Sequence, residues 1–177
     1  PRCGTGLSDH ELAQGYETVV DPSVYVRFPV AEDTDLATEF PGVALLVWTT
    51  TPWTLVSNTA VAVKPDAVYA VVRTSDDEVL IVVEALVGAL FGDDATVLRT
   101  MPGTALERVH YDRPFDYVDI PDAHYVILAD YVTTDDGTGL VHQAPAFGAD
   151  DLITCRAYGL PVVNPVRPDG RFADDVL

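Results

Sequence analysis

Lysine is almost absent from this sequence, since Lys64 stands alone beside nine arginines. Acidic residues are abundant, and 28 of them give a formal net charge of -18 at pH 7. Independent nucleic-acid binders usually have a basic face, because neutralising phosphates supplies most of their affinity. We therefore expect any contact with nucleic acid to be narrow, or to depend on a basic neighbour outside this chain.

Long hydrophobic runs are also missing. Glu84 interrupts the longest one, well short of the roughly 18 residues that indicate a membrane span. We therefore expect a protein without a membrane partner. The chain also starts without a methionine or a charged-then-apolar leader, so we expect a segment of a longer, non-secreted protein.

Cysteine is too scarce for a disulfide framework. Cys3 and Cys155 are the only two cysteines, and they form no Cys-x-x-Cys motif. No second histidine or cysteine lies at metal-ligand spacing from His142. We expect a cytoplasmic protein that has no metal site and needs no cofactor.

Turn signals at short intervals divide the sequence into many short apolar segments. At 177 residues and 48% hydrophobic content, the chain is long enough for one well-buried domain. The segments 24–30, 43–50, 59–63, 67–73, 78–83, 95–100, 124–129 and 140–144 predict strands, and 84–91 and 150–158 predict helices. This pattern predicts a mainly β fold with a few α-helices, built on a closed or partly closed β-barrel. We expect the barrel domain to span residues 21–165, between a linker at 1–20 and an exit segment at 166–177.

Trp48-Thr49-Thr50-Thr51-Pro52-Trp53-Thr54 is the most informative stretch of the chain. It follows an aliphatic, β-branched strand, and Pro52 removes an N–H from the ladder, so the threonines lie where a strand opens into a loop. Hydroxyls and freed N–H groups at such a place can hold a polar group or a developing oxyanion. The alternative is a threonine-rich edge strand with two core tryptophans, which a threonine run alone favours.

A second informative stretch runs from residue 137 to residue 151. Two glycines open a strand that carries His142, and a loop then leads to a predicted helix. Asp150 or Asp151 falls in the first turn, where the helix dipole and free N–H groups should lower a carboxylate's pKa. Such a fixed anion suits a substrate ammonium group, although Asp150 could equally be the N-cap.

No residue of the chain stands out as an activated nucleophile. Ser57 and Cys155 lack the flanking glycine turn or the nearby base that would mark one. His142 is, by residue type, more often a packing residue than a catalyst. If the domain hydrolyses a substrate, we expect it to position water.

Together the segments WTTTPWTLVSNTAVAV at 48–63 and GTGLVHQAPAFGADD at 137–151 resemble the editing insertion, connective peptide 1, of the isoleucyl-tRNA synthetase family. The segments CGTGLSDHE, DPSVYVRFPV and VVNPVRPDGRF resemble the same family, so the resemblance covers nearly the whole chain. The related valyl and leucyl enzymes typically carry an arginine and an acidic residue after the first threonines, whereas Thr51-Pro52-Trp53 is similar to the isoleucyl form. Val56 and Phe147 depart from the family pattern, and we expect them to affect packing more than chemistry.

The resemblance implies an aminoacyl-tRNA ester hydrolase that serves as the editing domain of a cytoplasmic isoleucine–tRNA ligase. Its implied substrate is valine attached in error to isoleucine tRNA, with valyl-adenylate as a second candidate. The implied partners are the 3′ end of aminoacylated tRNA(Ile), the valine moiety, and the remainder of the synthetase, from which residues 1–20 would be the linker. The alternative is a module that only binds the aminoacyl-adenosine end when it is separated from the full enzyme.

The resemblance also implies roles for individual residues. Asp151 would bind the α-ammonium group of the misattached amino acid and count among the catalytic residues. Three further catalytic residues would hold the ribose and the ester carbonyl and help to place the attacking water: Thr49, Thr50 and Thr51. His142 would line the amino-acid pocket and exclude isoleucine, while Trp53 and Asn58 would shape and support the site.

Overall fold

In the computed structural model, residues 22–174 are described, together with the isolated positions 6, 8, 10, 13, 15, 20 and 176. The linker expected at 1–20 therefore lies largely outside the described residues. Eight strands are present among them: β1 Val24–Pro29, β2 Ala44–Thr49, β3 Ala60–Val63, β4 Val68–Arg73, β5 Val79–Val83, β6 Thr96–Pro102, β7 Tyr125–Leu128 and β8 Leu140–Gln143. Three α-helices accompany them: α1 Asp35–Glu39, α2 Val87–Phe91 and α3 Ala149–Ala157.

The strands form two sheets. The larger sheet has the order β1-β2-β5-β4-β6, and the smaller has the order β7-β3-β8. Within the larger sheet only the β2–β5 pair is parallel. In the smaller sheet β3 is central, parallel to β7 and antiparallel to β8. This arrangement brings the ends of β2 and β8, which carry the two informative stretches, into the same region.

A common core joins the two sheets. Phe28, Val47, Ile81, Val61 and Leu140 are buried members of one hydrophobic cluster, although they belong to different sheets. The backbone N–H of Val83 donates to the carbonyl of Thr138 at 2.9 Å, which links β5 to the residues just before β8. The two sheets therefore enclose one interior, as expected for a partly closed barrel.

Local chemistry explains the principal turns. The β4–β5 hairpin closes through Thr74 N–H to Glu78 O at 2.9 Å, with Asp77 at a φ of 62°. Aspartate tolerates that left-handed conformation better than most side chains. Gly92, at a φ of 67°, ends α2, as the sequence predicts.

The predicted strands and both predicted helices are present, and most end residues are shifted by no more than two positions. The helix predicted at 84–91 is a 3-10 helix over Glu84–Leu86 and becomes α-helical only at Val87. Besides two short 3-10 helices at Gly92–Asp94 and Gly103–Leu106, two further elements were not predicted from the sequence. One is α1, whose N-terminus is capped by the Thr34 side chain, which accepts from the Ala37 N–H. The other is a 3-10 helix at Pro52–Ser57, with proline in its first turn. None of the helices in the described residues is both long and apolar enough to span a membrane.

Candidate functional site

A chain of threonine hydroxyls follows the end of β2. The Thr49 hydroxyl oxygen accepts from the Thr51 N–H at 3.1 Å and lies 3.3 Å from the Thr51 hydroxyl. The 3-10 helix then turns the backbone back, so that the Thr54 hydroxyl lies 3.4 Å from that of Thr51 and donates to the Thr51 carbonyl at 2.8 Å. The three hydroxyls therefore form a continuous polar row.

His142 lies on β8, opposite Val61 of the central strand, and both its ring nitrogens are engaged. Its Nε2 lies 2.9 Å from the Thr54 hydroxyl, and its Nδ1 lies 2.9 Å from Asn58 Nδ2. Asn58 Nδ2 also donates to the Ala60 carbonyl at 2.8 Å. A carbonyl only accepts and an amide nitrogen only donates, so His142 Nδ1 accepts and Nε2 carries the proton.

Burial lowers the pKa of His142 to about 4. The ring is therefore neutral at physiological pH, and both of its nitrogens already have partners. The donors of His142 and Thr54 are thus used internally. The face that these side chains show to the cavity has no free donor and is suited to a small apolar group.

Asp151 occupies the first turn of α3, as the sequence predicts. Its Oδ2 accepts from the Ala144 N–H at 2.8 Å, which ties the carboxylate to the end of β8. The N-cap residue is Gly148, so the suggestion that Asp150 is the N-cap is wrong. A Cβ on Gly148 would lie 2.9 Å from the Asp151 Cγ, so glycine leaves the room that this carboxylate occupies.

The expectation that the helix start lowers the Asp151 pKa is also wrong. Its pKa is raised from 3.8, because burial penalises the carboxylate more than the Ala144 hydrogen bond favours it. An ammonium group bound beside Asp151 would offset that burial cost, so a cationic ligand suits this carboxylate chemically.

One cavity of about 470 Å³ brings most of the predicted site residues together. That volume is typical of small-ligand sites, which run from about 300 to 1,000 Å³. Of the predicted residues, its lining includes Thr49, Thr51, Trp53, His142 and Asp151. The remaining lining residues are Trp48, Thr54, Val141, Ala144, Phe147 and Gly148. The side chain of Trp53 is 57% exposed at the rim, which excludes the alternative in which both tryptophans are core residues.

Two predicted residues do not line this cavity. Thr50 is exposed and lines a neighbouring cavity of about 210 Å³ with Trp48, Thr49, Asp136 and Gly137. Asn58 is fully buried behind His142 and reaches the cavity only through that ring. The catalytic role of Thr50 remains a prediction, while the position of Asn58 fits a supporting role.

Sequence reasoning missed Thr54 and Gly148. Thr54 follows the strand by five residues, and only the 3-10 helix returns it to His142. Gly148 could have been noticed as a glycine just before a helix that begins with two acidic residues. Within the described part of the chain, no group of three or more His, Cys, Asp or Glu side chains is placed to hold a metal ion.

Solved structures with this architecture define its class. The GlLeuRS-CP1 crystal structure matches with a TM-score of 0.68 at 20% identity, covering 88% of this chain and 73% of that one. The P. knowlesi cytosolic leucyl-tRNA synthetase editing domain matches with a TM-score of 0.58 at 15% identity, covering 84% and 70%. The chain therefore has the fold of the editing domains of aminoacyl-tRNA synthetases.

Relatives of similar sequence identify one particular synthetase. The chain is 65% identical over 178 residues to the isoleucine–tRNA ligase of Streptomyces coelicolor and 52% identical over 172 residues to that of Thermus thermophilus, which covers 99% and 97% of this chain. It spans about 16% of the length of each of these relatives, and no family model matches it. The chain is therefore a homologue of one segment of the isoleucine–tRNA ligases, which confirms the family identified from its motifs.

Proposed function

We propose that this chain hydrolyses the ester between valine and the terminal adenosine of isoleucine tRNA, as the proofreading domain of an isoleucine–tRNA ligase. Valyl-adenylate is the second proposed substrate. The family and the fold support this function. The main structural observation in its favour is the set of side chains that line the cavity. It combines the Asp151 carboxylate, the His142 ring and the hydroxyls of Thr49 and Thr51.

Each wall of the cavity suits one part of the proposed substrate. The Asp151 carboxylate attracts the α-ammonium group, which restores the solvation that the carboxylate loses on burial. The hydroxyls of Thr49 and Thr51 offer donors and acceptors to the ribose and the ester carbonyl. The side chain of the amino acid then faces His142.

A separate hydrolytic site is needed because one methylene is worth only about 1–3 kcal/mol in a hydrophobic pocket, and isoleucine against valine is the standard case of that magnitude. The cavity of about 470 Å³ is too large to exclude isoleucine by total volume. We place the size selection locally, at the His142 ring, which is held rigid by bonds to Thr54 and Asn58. Replacing His142 by alanine should therefore increase release of isoleucine from isoleucyl-tRNA.

The proposed chemistry is attack of water on the ester carbonyl. The bond between the acyl carbon and the ribose oxygen breaks, the ribose oxygen takes up a proton, and valine leaves as the free acid. His142 is not the base, because it is neutral with both nitrogens engaged. The threonine hydroxyls position the water and stabilise the developing oxyanion, and a ribose hydroxyl of the substrate assists proton transfer.

The decisive experiment measures valine release from valyl-tRNA(Ile) by the 177-residue chain at low salt, with isoleucyl-tRNA(Ile) as the comparison. Asp151→Asn should lower kcat/KM by about 10- to 100-fold, because hydrogen bonds to charged groups are worth about 1.5–3 kcal/mol. Asp150→Asn is the matched control. Asp150 is exposed and does not line the cavity, so this substitution removes the same charge outside the site. Equal activity of the two variants would contradict the ammonium-binding role.

The second candidate function is a module that binds the aminoacyl-adenosine end without hydrolysing it. One observation favours it, because none of the residues lining the cavity is a histidine or lysine free to act as a general base. The same experiment separates the two functions. Binding of a non-hydrolysable valyl-adenosine analogue without valine release would favour the binding module.

A further inference from the structure

Tyr111 lies behind the cavity, and no part of it lines the cavity wall. Its side chain is buried, and its ring packs edge-on against Phe28 with centroids 5.3 Å apart. Its hydroxyl donates to Asn58 Oδ1 at 2.6 Å. The hydrogen bonds therefore continue from Tyr111 through Asn58 to His142 and on to Thr54.

We propose that Tyr111 is a positioning residue that keeps His142 in the Nε2–H tautomer through Asn58. It thereby fixes the part of the cavity wall that selects the amino-acid side chain by size. The tautomer half of this inference stands on geometry alone. The half that concerns size selection of the amino-acid side chain rests on the proposed function. The two halves are therefore tested separately below.

The direction of the hydrogen bonds follows from Asn58. Its Nδ2 faces the Ala60 carbonyl at 2.8 Å, so the amide nitrogen rather than the amide oxygen must lie on that side. The same nitrogen donates to His142 Nδ1. This orientation leaves Asn58 Oδ1 for Tyr111, whose O–H is a donor at 2.6 Å. Both neighbours of the amide thus favour one orientation.

The contribution of Tyr111 becomes clear when the opposite orientation of the Asn58 amide is considered. Turning the Asn58 amide over would place its oxygen against the Ala60 carbonyl and against His142 Nδ1, which would then have to carry the proton. Thr54 would donate to Nε2 and lose its bond to the Thr51 carbonyl. The buried Tyr111 O–H would also lose its acceptor, and an unpaired buried polar group is costly.

Phenylalanine at position 111 removes only this last penalty. The ring and its contact with Phe28 are retained, while Asn58 Oδ1 loses its donor. The Asn58 amide is then held in place by Ala60 and His142 alone. We therefore expect the His142 ring to become less fixed in orientation and tautomer.

Tyr69→Phe is the matched control. Tyr69 is also fully buried, and its hydroxyl donates to the Gly139 carbonyl at 2.6 Å. It makes none of the hydrogen bonds that connect Asn58 to His142. Both variants delete a buried phenolic O–H that donates at 2.6 Å, and Tyr69→Phe also removes the acceptor of the Lys64 N–H at 2.9 Å. The control is therefore at least as disruptive to general stability as Tyr111→Phe.

The first test is ¹⁵N NMR of the imidazole nitrogens in the 177-residue chain. The parent should show His142 with a protonated Nε2, an unprotonated Nδ1, and a coupling across the hydrogen bond from Asn58 Nδ2. Tyr111→Phe should broaden these signals or reveal a second tautomer, whereas Tyr69→Phe should leave them unchanged. A parent with Nδ1 protonated, or a Tyr111→Phe variant with unchanged signals, would overturn the proposal, and the parent result holds even if a variant fails to fold.

The second test is the ratio of kcat/KM for valyl-tRNA to that for isoleucyl-tRNA. One hydrogen bond is worth about 0.5–1.5 kcal/mol, so Tyr111→Phe should lower this ratio by roughly two- to tenfold. Tyr69→Phe should retain the parent ratio. An unchanged ratio in Tyr111→Phe would overturn the role of Tyr111 in size selection. A parent that hydrolyses neither ester would instead contradict the proposed function, while the NMR result would still decide the tautomer.

Discussion

Asp151 combines a functional position with a cost to the fold. Its pKa is raised above 3.8 by burial, so the folded state binds this proton more tightly than the unfolded state does. Stability is therefore lost as the pH rises from the unfolded pKa through the folded pKa, when the buried carboxyl becomes charged. The ionised group that would bind an ammonium ion is maintained at the expense of folding free energy.

Asp151→Asn should therefore stabilise the chain at pH 7 while it abolishes most hydrolysis. Its advantage in unfolding free energy over the parent should shrink as the pH falls through the raised pKa of folded Asp151, and it should be gone near 3.8, the pKa of the unfolded state. Urea denaturation at a series of pH values checks this. Asp150→Asn controls for the relief of general charge repulsion, and equal stabilisation by both variants would show that burial of Asp151 carries no special cost.

Gly148 provides the space for the same carboxylate. Its backbone, at φ -128° and ψ 138°, is open to any residue. A Cβ there would lie 2.9 Å from the Asp151 Cγ and 3.0 Å from its Oδ1. We expect Gly148→Ala to push the carboxylate away from the Ala144 N–H and to lower kcat/KM for valyl-tRNA by about tenfold, the equivalent of about 1.4 kcal/mol.

The control for this effect is Gly88→Ala. Gly88 lies within α2, and a Cβ there would meet no atom within 4 Å. Alanine in a helix is favoured over glycine by about 0.5–1 kcal/mol, so this variant should be slightly more stable and fully active. A Gly148→Ala variant with parental activity would show that the Asp151 carboxylate has room to move without consequence.

At the scale of elements, the placement of β8 depends on Gly139. This residue has a φ of 74°, and a Cβ on it would lie 2.4 Å from the Val83 Cβ. Its neighbour Thr138 accepts the hydrogen bond from Val83 that links the two sheets. The strand that carries His142 therefore packs against β5 at a distance that only glycine permits.

Gly139→Ala should destabilise the chain by more than the backbone strain of placing alanine in the left-handed conformation. Gly42 provides the comparison, because its φ is 78° but a Cβ there would meet nothing within 4 Å. We expect Gly42→Ala to cost about 1–2 kcal/mol from backbone strain. Gly139→Ala should cost a further 1–3 kcal/mol or so from overpacking. Chemical denaturation of both variants measures the difference, and equal losses would argue against the close approach to Val83.

The strands could be predicted because their apolar patterns are local. The 3-10 helix at Pro52–Ser57 could not, because a short turn carries no periodicity, and it alone returns Thr54 to His142. Asp151 was correctly placed at a helix start, but the prediction that its pKa is lowered was wrong, since burial depends on the residues packed around it. The contact between Tyr111 and Asn58 joins positions 53 residues apart, and no pattern in either segment indicates it.

At the scale of the whole molecule, the charge of -18 restricts how the chain can meet tRNA. Many of its few cations are already engaged. Four arginines form ion pairs with carboxylates, namely Arg27, Arg73, Arg99 and Arg167. The Arg108 guanidinium lies over the rings of Tyr125 and Tyr158 at 4.4 and 4.9 Å. These arginines are poorly placed to form a basic face for the phosphate backbone.

Recognition by the isolated chain should therefore be confined to the aminoacyl-adenosine end of the substrate. A protein that makes 6–10 phosphate contacts loses about 10³- to 10⁵-fold in affinity between 50 and 200 mM salt. For this chain we expect kcat/KM with valyl-tRNA to stay level or rise over that interval, because salt screens the repulsion between two anions. Valyl-adenosine is the control substrate and should show almost no salt dependence. A steep fall with valyl-tRNA alone would reveal a phosphate-binding surface and contradict recognition through the cavity.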